Sequence, residues 1–296
     1  VNAGNSIASG GNYNVTVGDE AGTALTTGDQ NVFVGYAAGD ATTTAGQNTA
    51  LGHNALGANI TGAYNTALGR AALELNTGGS NTAVGGDALT ANTSGASNTA
   101  VGISALDANT TASNNTGVGA NALGANTTGA QNTAVGSLSL DANTTGYYNQ
   151  AFGYGAVGTN TTGNHLVAMG FEALGANTTG SYNVAIGNYA LDANTTADNN
   201  TGLGYSALTL NTTGTQNVGV GTNALGANTT ASNNTAVGHY ALLANTTGAS
   251  NVAVGNNALD ANTTASNNTA IGAAALTANT TGAANVAVGS QALDAN

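Results

Sequence analysis

Asn98-Thr99-Ala100-Val101-Gly102-Ile103-Ser104-Ala105-Leu106-Asp107-Ala108-Asn109-Thr110-Thr111-Ala112-Ser113-Asn114 is one copy of a unit that recurs through the whole chain. Its glycine stands at 18, 35, 52 and 69, and then from 85 at every seventeenth position to 289. That makes seventeen units, with one 16-residue interval between Gly69 and Gly85 where a residue is missing after Asn76. Self-similarity at a fixed short period is the signature of a stacked repeat, in which each unit packs on its neighbours. The residue before the glycine is always large and apolar, as in Val101, and from the third unit onward Leu stands four after it, with Val157 as the one substitute. Two large residues per unit are too few for a helical repeat, which needs a broad apolar stripe on each helix. They suit a thin coil of extended chain.

Within the unit, Asn98 and Ala100 share one face of an extended segment, and Thr99 and Val101 share the other, because successive side chains of a strand alternate. Thr and Val favour such a pleated surface. The Asn-Thr-Thr-Gly stretch supplies turn chemistry, since Asn and Gly tolerate left-handed backbone. The expected fold is therefore all-β: a parallel β-solenoid, or β-roll, of about seventeen 17-residue coils with two short strands per coil. Stacking puts identical residues in register, about 4.8 Å apart. Val101 and Leu106 then belong to apolar spines, Asn98 and Asn109 to hydrogen-bonded ladders, and Gly102 to the tight corner. Residues 1–47 hold two degenerate units, with Gly22 and Gly39 where Leu is expected and Leu25 and Thr42 where Asn is expected. They are read as a cap, and 48–296 as the regular array, expected to continue beyond Asn296 because a complete coil edge invites pairing.

Composition agrees only once the repeat is seen. Leu, Ile, Val and Phe make up about 17% of the 296 residues, a level that by itself would mark a disordered chain. Yet only 5% of residues are charged and proline is absent, neither of which fits disorder. A single basic side chain, Arg70, stands against thirteen acidic ones, so nothing here neutralises a nucleic-acid backbone or an anionic membrane. With no cysteine there is no disulfide framework or thiolate metal site, and no apolar run approaches the ~18 residues of a membrane span.

The pattern Asn-(Thr/Val)-Ala-(Val/Ile)-Gly, as in Asn183-Val184-Ala185-Ile186-Gly187 and Asn251-Val252-Ala253-Val254-Gly255, resembles the head repeat of YadA-like trimeric autotransporter adhesins. With Ala-Leu-x-Ala-Asn-Thr-Thr-Gly following, it also resembles repeats of bacteriophage tail-fibre proteins. The resemblance covers residues 14 to 296 and implies a left-handed parallel β-roll with three chains side by side. It carries over no catalytic residue. The 17-residue unit is longer than the usual adhesin head repeat.

Candidate sites are few. His53, His165 and His239 fall in separate coils and read as surface residues; only a ring of three copies would bring equivalent histidines together on a metal. Asp107, Asp141, Asp192, Asp260 and Asp294 share one repeat position but skip coils, and the calcium-binding Gly-Gly-x-Gly-x-Asp pattern is absent, so they read as a solvated face. No carboxylate pair, Ser/His/Asp set or phosphate loop stands out, so neither an enzyme nor a cofactor is expected. Asn seven after the glycine sits in Asn-x-Ser/Thr in thirteen units, among them Asn109, Asn126 and Asn143. These are either glycan acceptors or ladder residues. The Thr-Thr pairs invite an ice-binding reading, but adjacent threonines cannot both point outward, so the double Thr-x-Thr row is missing. Seven of the thirteen Phe and Tyr residues lie between 147 and 189, including Tyr147, Tyr148, Tyr154, Phe171, Tyr182 and Tyr189. They are read either as a ligand-contact surface for sugar rings or as local repacking where Gln150, Val157 and Leu166 depart from consensus.

Together these readings lead to the expectation of a non-enzymatic extracellular structural or adhesive segment: the shaft of a phage tail fibre or bacterial surface adhesin, associating with itself as a homotrimer. The alternative is a secreted filament whose subunits join end to end. A module binding cell-surface glycan, or ice, is the third class.

Overall fold

The glycine corner and the Asn-containing turns leave room in each coil for one short extended segment. The computed structural model describes residues 2–7 and 10–295, and every strand in it has three residues. Two compact units are formed, Val1–Tyr148 and Asn149–Asn296. In the first, β1 (Val15–Val17), β2 (Val32–Val34), β3 (Thr49–Leu51), β4 (Thr66–Leu68), β5 (Thr82–Val84), β6 (Thr99–Val101), β7 (Thr116–Val118) and β8 (Thr133–Val135) pair in parallel, each with the next. In the second, β9 (Gln150–Phe152), β10 (Val167–Met169), β11 (Val184–Ile186), β12 (Thr201–Leu203), β13 (Val218–Val220), β14 (Thr235–Val237), β15 (Val252–Val254), β16 (Thr269–Ile271) and β17 (Val286–Val288) do the same. Each unit is a parallel β-solenoid. Cα partners lie one coil apart, as in Thr99↔Thr116 and Val184↔Thr201. The residue missing after Asn76 falls in a turn, so β4 and β5 stay in register, Thr66↔Thr82. No helix occurs among the described residues, and none is long and apolar enough to cross a membrane.

One sequence expectation needs correction. There is one strand per coil, not two. The Ala-Leu segment expected to be the second strand alternates left-handed residues with ordinary ones: Ser104 has φ 51° and Leu106 φ 54°, and the equivalents Asn121 and Leu123 have φ 54° and 56°. Left-handed backbone costs an L residue roughly 1–2 kcal/mol. Full burial of Leu contributes roughly 1.5–3 kcal/mol and offsets it, and Leu106, like Leu123, is completely buried. This turn also bonds to neighbouring coils, with Ser104 N–H donating to Gly86 O at 3.0 Å and Leu106 N–H to Ala122 O at 3.0 Å.

The structure also decides which face is inside, which the alternation leaves open. Val101 is 37% exposed, and its strand partner Ala100 is fully buried. The outward face of the sheet carries the Thr/Val and Val/Leu/Ile columns; the inward face carries Asn98 and Ala100. A regular coil thus buries one large side chain, Leu106 or its equivalent, among small alanines and two asparagines, whereas Leu166 adds a second and the terminal Leu293 is 48% exposed.

The asparagines hold this lumen together. Asn115 N–H donates to Asn98 Oδ1 at 2.9 Å, and Asn98 N–H donates to Asn81 Oδ1 at 3.0 Å, one ladder running coil to coil. In the other ladder Asn109 Nδ2 donates to Asn92 Oδ1 at 2.8 Å, and Asn126 Nδ2 to Asn109 Oδ1 at 3.0 Å. The two meet at the Ala112 carbonyl, which accepts from Asn98 Nδ2 at 2.9 Å and from Asn109 Nδ2 at 3.1 Å. A buried amide left unpaired would cost about 1–3 kcal/mol, so an asparagine core is tolerable only where stacking supplies every partner.

The corner glycine is equally constrained. Gly119 has φ +137°, and a Cβ there would lie 2.5 Å from the Gly136 carbonyl oxygen of the next coil.

The second coil has its own packing. Phe33 takes the place of the inward Ala and is fully buried, and its ring fills the room freed where Gly22 and Gly39 replace Leu: a Cβ on Gly39 would lie 2.7 Å from the ring. β2 pairs with β3 in the same register as every other neighbour, Val32↔Thr49. Asn296 lies outside the described residues.

Candidate functional site

The lumen is closed to ligands by its own packing, so any function resides on the outside. Asn109, Asn126 and Asn143 are completely buried, and each donates Nδ2 to the carbonyl three residues on, at 3.0–3.1 Å for Asn109 and Asn143 and 2.9 Å for Asn126. A glycan on any of them and this fold exclude one another, which corrects the acceptor reading of these positions. The exposed acceptor sequences are different ones, Asn-Asn-Thr at Asn114, Asn199, Asn233 and Asn267, where the first Asn sits in an outward left-handed turn with φ 61–63°. Sequence scanning passed over them because the second Asn of each pair carries the repeat signal.

Of the acidic column, Asp107, Asp141, Asp192 and Asp260 lie half-buried and Asp294 is exposed. Desolvation raises the pKa of Asp107, Asp141, Asp192 and Asp260 above the ordinary carboxylate value. Gly124 sits beside Asp141, and Gly175 beside Asp192, where a Cβ would lie 2.8 and 2.9 Å from the carboxylate oxygen. Acids therefore stack on small neighbours rather than on each other. Among the described residues no group of three His, Cys, Asp or Glu is placed to hold a metal ion. Arg70 pairs with Asp87 of the next coil on the surface, an exposed pair of little energetic weight. A shallow cleft lined by Asp40, Asn54, Gly57, Ala58, Glu74 and Leu75 has a volume of about 230 Å³. Asn54 Nδ2 donates to Glu74 there at 3.3 Å.

The threonine columns divide as expected. Thr110 donates its hydroxyl to the Thr127 carbonyl at 3.2 Å, and Thr127 to Thr144 at 3.0 Å; the following Thr111 and Thr128 face solvent. Of each such pair, only the second hydroxyl is open.

Two outward features remain. One is the strand face: Val135, Val237 and Val254 are each 36% exposed, Leu203 and Ile271 42%, and Met169 49%. The other is the aromatic set, which the fold sorts rather than gathers. In the first unit Tyr147 and Tyr148 meet edge to face, with centroids 5.3 Å apart. In the second, Tyr154 stacks on Phe171 at 5.4 Å and 10°, Phe171 meets Tyr189 edge-on at 5.4 Å, and Tyr189 meets Tyr205 edge-on at 6.3 Å. Tyr182 belongs to another column, where it stacks on His165 at 4.9 Å. Tyr205 escaped the sequence reading because it lies outside the 147–189 cluster; the 17-residue spacing from Phe171 through Asn188 is the signal that places it. In the same region Leu166 is fully buried in the Asn ladder. It donates N–H to Asn149 Oδ1 at 3.1 Å but offers no side-chain oxygen onward.

No family model, no curated protein and no solved structure matches the chain. The class that the fold defines is a β-solenoid repeat protein with asparagine-laddered coils.

Proposed function

We propose that this chain is a non-enzymatic structural segment of an extracellular fibre, of the kind found in phage tail-fibre shafts and bacterial surface adhesins, and that copies associate side by side through the outward strand face. The observation that carries the reading is the unbroken column of Val and Leu on that face, Val17 through Leu51 and Leu68 to Val135 in the first unit, flanked by a column of Val and Thr. Over the eight strands of that unit the face is a strip on the order of 10 by 38 Å. A strip of that area is comparable to the largest patch on a typical monomer, which is often functional, and what favours a partner is its periodicity: a second copy of the same surface matches it coil for coil. The repeat resemblance points the same way, to three chains. The near absence of lysine and arginine suits a fibre exposed to trypsin-like proteases, since Arg70 is its single possible cut.

Sedimentation and light scattering on the 296-residue chain test this. A discrete trimer is expected, dissociating when Val118, Val135, Val237 and Val254 are changed together to Asp while hydrogen-exchange protection of the coils persists. A monomer at all concentrations, or an oligomer indifferent to those changes, refutes side-by-side association. Open-ended growth with concentration would favour the end-to-end filament instead.

A further inference from the structure

We infer that Tyr154, Phe171, Tyr189 and Tyr205, with the carboxylates of Glu172 and Asp192 beside them, form a binding platform for a neutral oligosaccharide. The rings follow one another over four successive coils, a track about 14 Å long at the spacing of stacked strands, with centroid steps of 5.4, 5.4 and 6.3 Å. Tyr154, Phe171 and Tyr205 are 48%, 38% and 53% exposed. The fold does not require aromatic residues here. The position one after the corner glycine, which holds Tyr154, Phe171 and Tyr205, is filled by Gly86, Ala120, Ser137 and Ala273 in other coils of the same backbone. Local repacking around Val157 and Leu166 does not account for the rings either, because both of those side chains are fully buried inside the lumen and the rings are outside.

The backbone beneath the rings is tied from coil to coil. Glu172 N–H donates to Tyr154 O, and Tyr189 N–H to Phe171 O, both at 3.0 Å; Phe171 N–H is held by Asn188 Oδ1 at 3.0 Å. A backbone ordered before binding loses little entropy when a ligand covers it. A 5.4 Å centroid step between the near-parallel Tyr154 and Phe171 is wider than full face-to-face contact, and both rings stay partly open to solvent. Sugars present apolar C–H faces to such rings and hydroxyl donors around their rims. Acceptors neighbour the rings along the chain: Glu172 follows Phe171, Asn188 precedes Tyr189 and is exposed, and Asp192 lies three residues beyond Tyr189, close enough to Glu172 for that carboxylate to add to the upward shift of its pKa. With those carboxylates and a formal net charge of −12, the surface repels anionic sugars and favours neutral ones.

The test uses the full chain and soluble hexasaccharides of glucose, mannose and galactose, with a sialylated oligosaccharide as the anionic comparison, at millimolar concentration. Binding is read from saturation transfer between ring protons and sugar protons and from tyrosine fluorescence; the chain has no tryptophan to mask it. At least one neutral hexasaccharide is expected to bind, with the sialylated one bound more weakly. Phe171→Ala with Tyr205→Ala should weaken it about tenfold or more, while Tyr64→Ala in the first unit leaves it unchanged, and Glu172→Gln should narrow the gap to the anionic sugar. Absence of binding by all three neutral sugars overturns the inference, as does binding that survives the double change. Loss of self-association on the double change without any sugar binding would assign the track to protein contact and overturn it too. Retained hydrogen-exchange protection in β9 to β12 shows that the variant is folded.

Discussion

Replacing Asn109 by Ala removes one rung of the inner ladder and asks how much of the fold rests on it. Three hydrogen bonds disappear: Asn109 Nδ2 to Asn92 Oδ1 at 2.8 Å, Asn109 Nδ2 to Ala112 O at 3.1 Å, and Asn126 Nδ2 to Asn109 Oδ1 at 3.0 Å. Two of the deserted groups keep another partner, since Ala112 O still accepts from Asn98 Nδ2 and Asn126 Nδ2 still donates to Gly129 O, both at 2.9 Å. Asn92 Oδ1 is the acceptor left bare in a buried site. At about 1 kcal/mol per net hydrogen bond, with an orphaned buried group counted toward the upper end of about 1–3 kcal/mol, the loss comes to about 3–4 kcal/mol. Asn114→Gly is the comparison: Asn114 is exposed, its side chain makes no hydrogen bond, and its φ of 63° suits glycine, so the change should stay within about 0.5 kcal/mol. A repeat array need not unfold in one step, so the readout is native-state hydrogen exchange at the amides of Thr110 and Asn126. A loss under about 1 kcal/mol at those amides, or one no larger than for Asn114→Gly, would refute the idea that the asparagine ladder holds the lumen.

Three further outcomes follow from the same geometry. Gly119→Ala puts a Cβ 2.5 Å from Gly136 O at φ +137°, and the strain alone is worth about 3 kcal/mol; exchange protection should collapse around β7 and β8, and an unchanged pattern would show that the corner can open. Phe33→Ala leaves the space beside Gly22 and Gly39 empty, with an expected loss of about 3–5 kcal/mol confined to exchange in β1 to β3. Asp192 has its folded pKa raised, by burial first and then by Glu172, so the folded protein is most stable with it protonated. That contribution is fully present below the ordinary value of 3.8, is lost as pH rises through the raised value, and is absent at neutral pH. Asp192→Asn should therefore raise the denaturation midpoint at pH 7 and leave it unchanged well below pH 3.8; a lower midpoint at pH 7 would contradict the desolvation account.

Much of the fold is legible in the repeat. The 17-residue spacing sets the parallel register, and the invariant Gly marks the corner where coils approach most closely. The aromatic track is half legible: residues 147–189 draw the eye by density, yet the coil spacing assigns Tyr182 to His165 and joins Tyr205 to Phe171 and Tyr189. Density along the chain is a poor guide to adjacency in a solenoid, where neighbours are one coil apart.

The inside and outside of the coil are another matter. Alternation in Asn98-Thr99-Ala100-Val101 says that two faces exist without saying which is buried, and hydrophobicity alone would turn Val101 inward. The tertiary structure reverses this. A lumen that receives one Leu per coil has no room for Val as well, and Asn becomes an acceptable core residue only when the coils above and below provide its hydrogen-bond partners. By itself the sequence determined the period, the register and the corners of this protein; only stacking decided that amides line its core and valines its surface, because the satisfaction of a buried amide belongs to the neighbouring coil and not to its own.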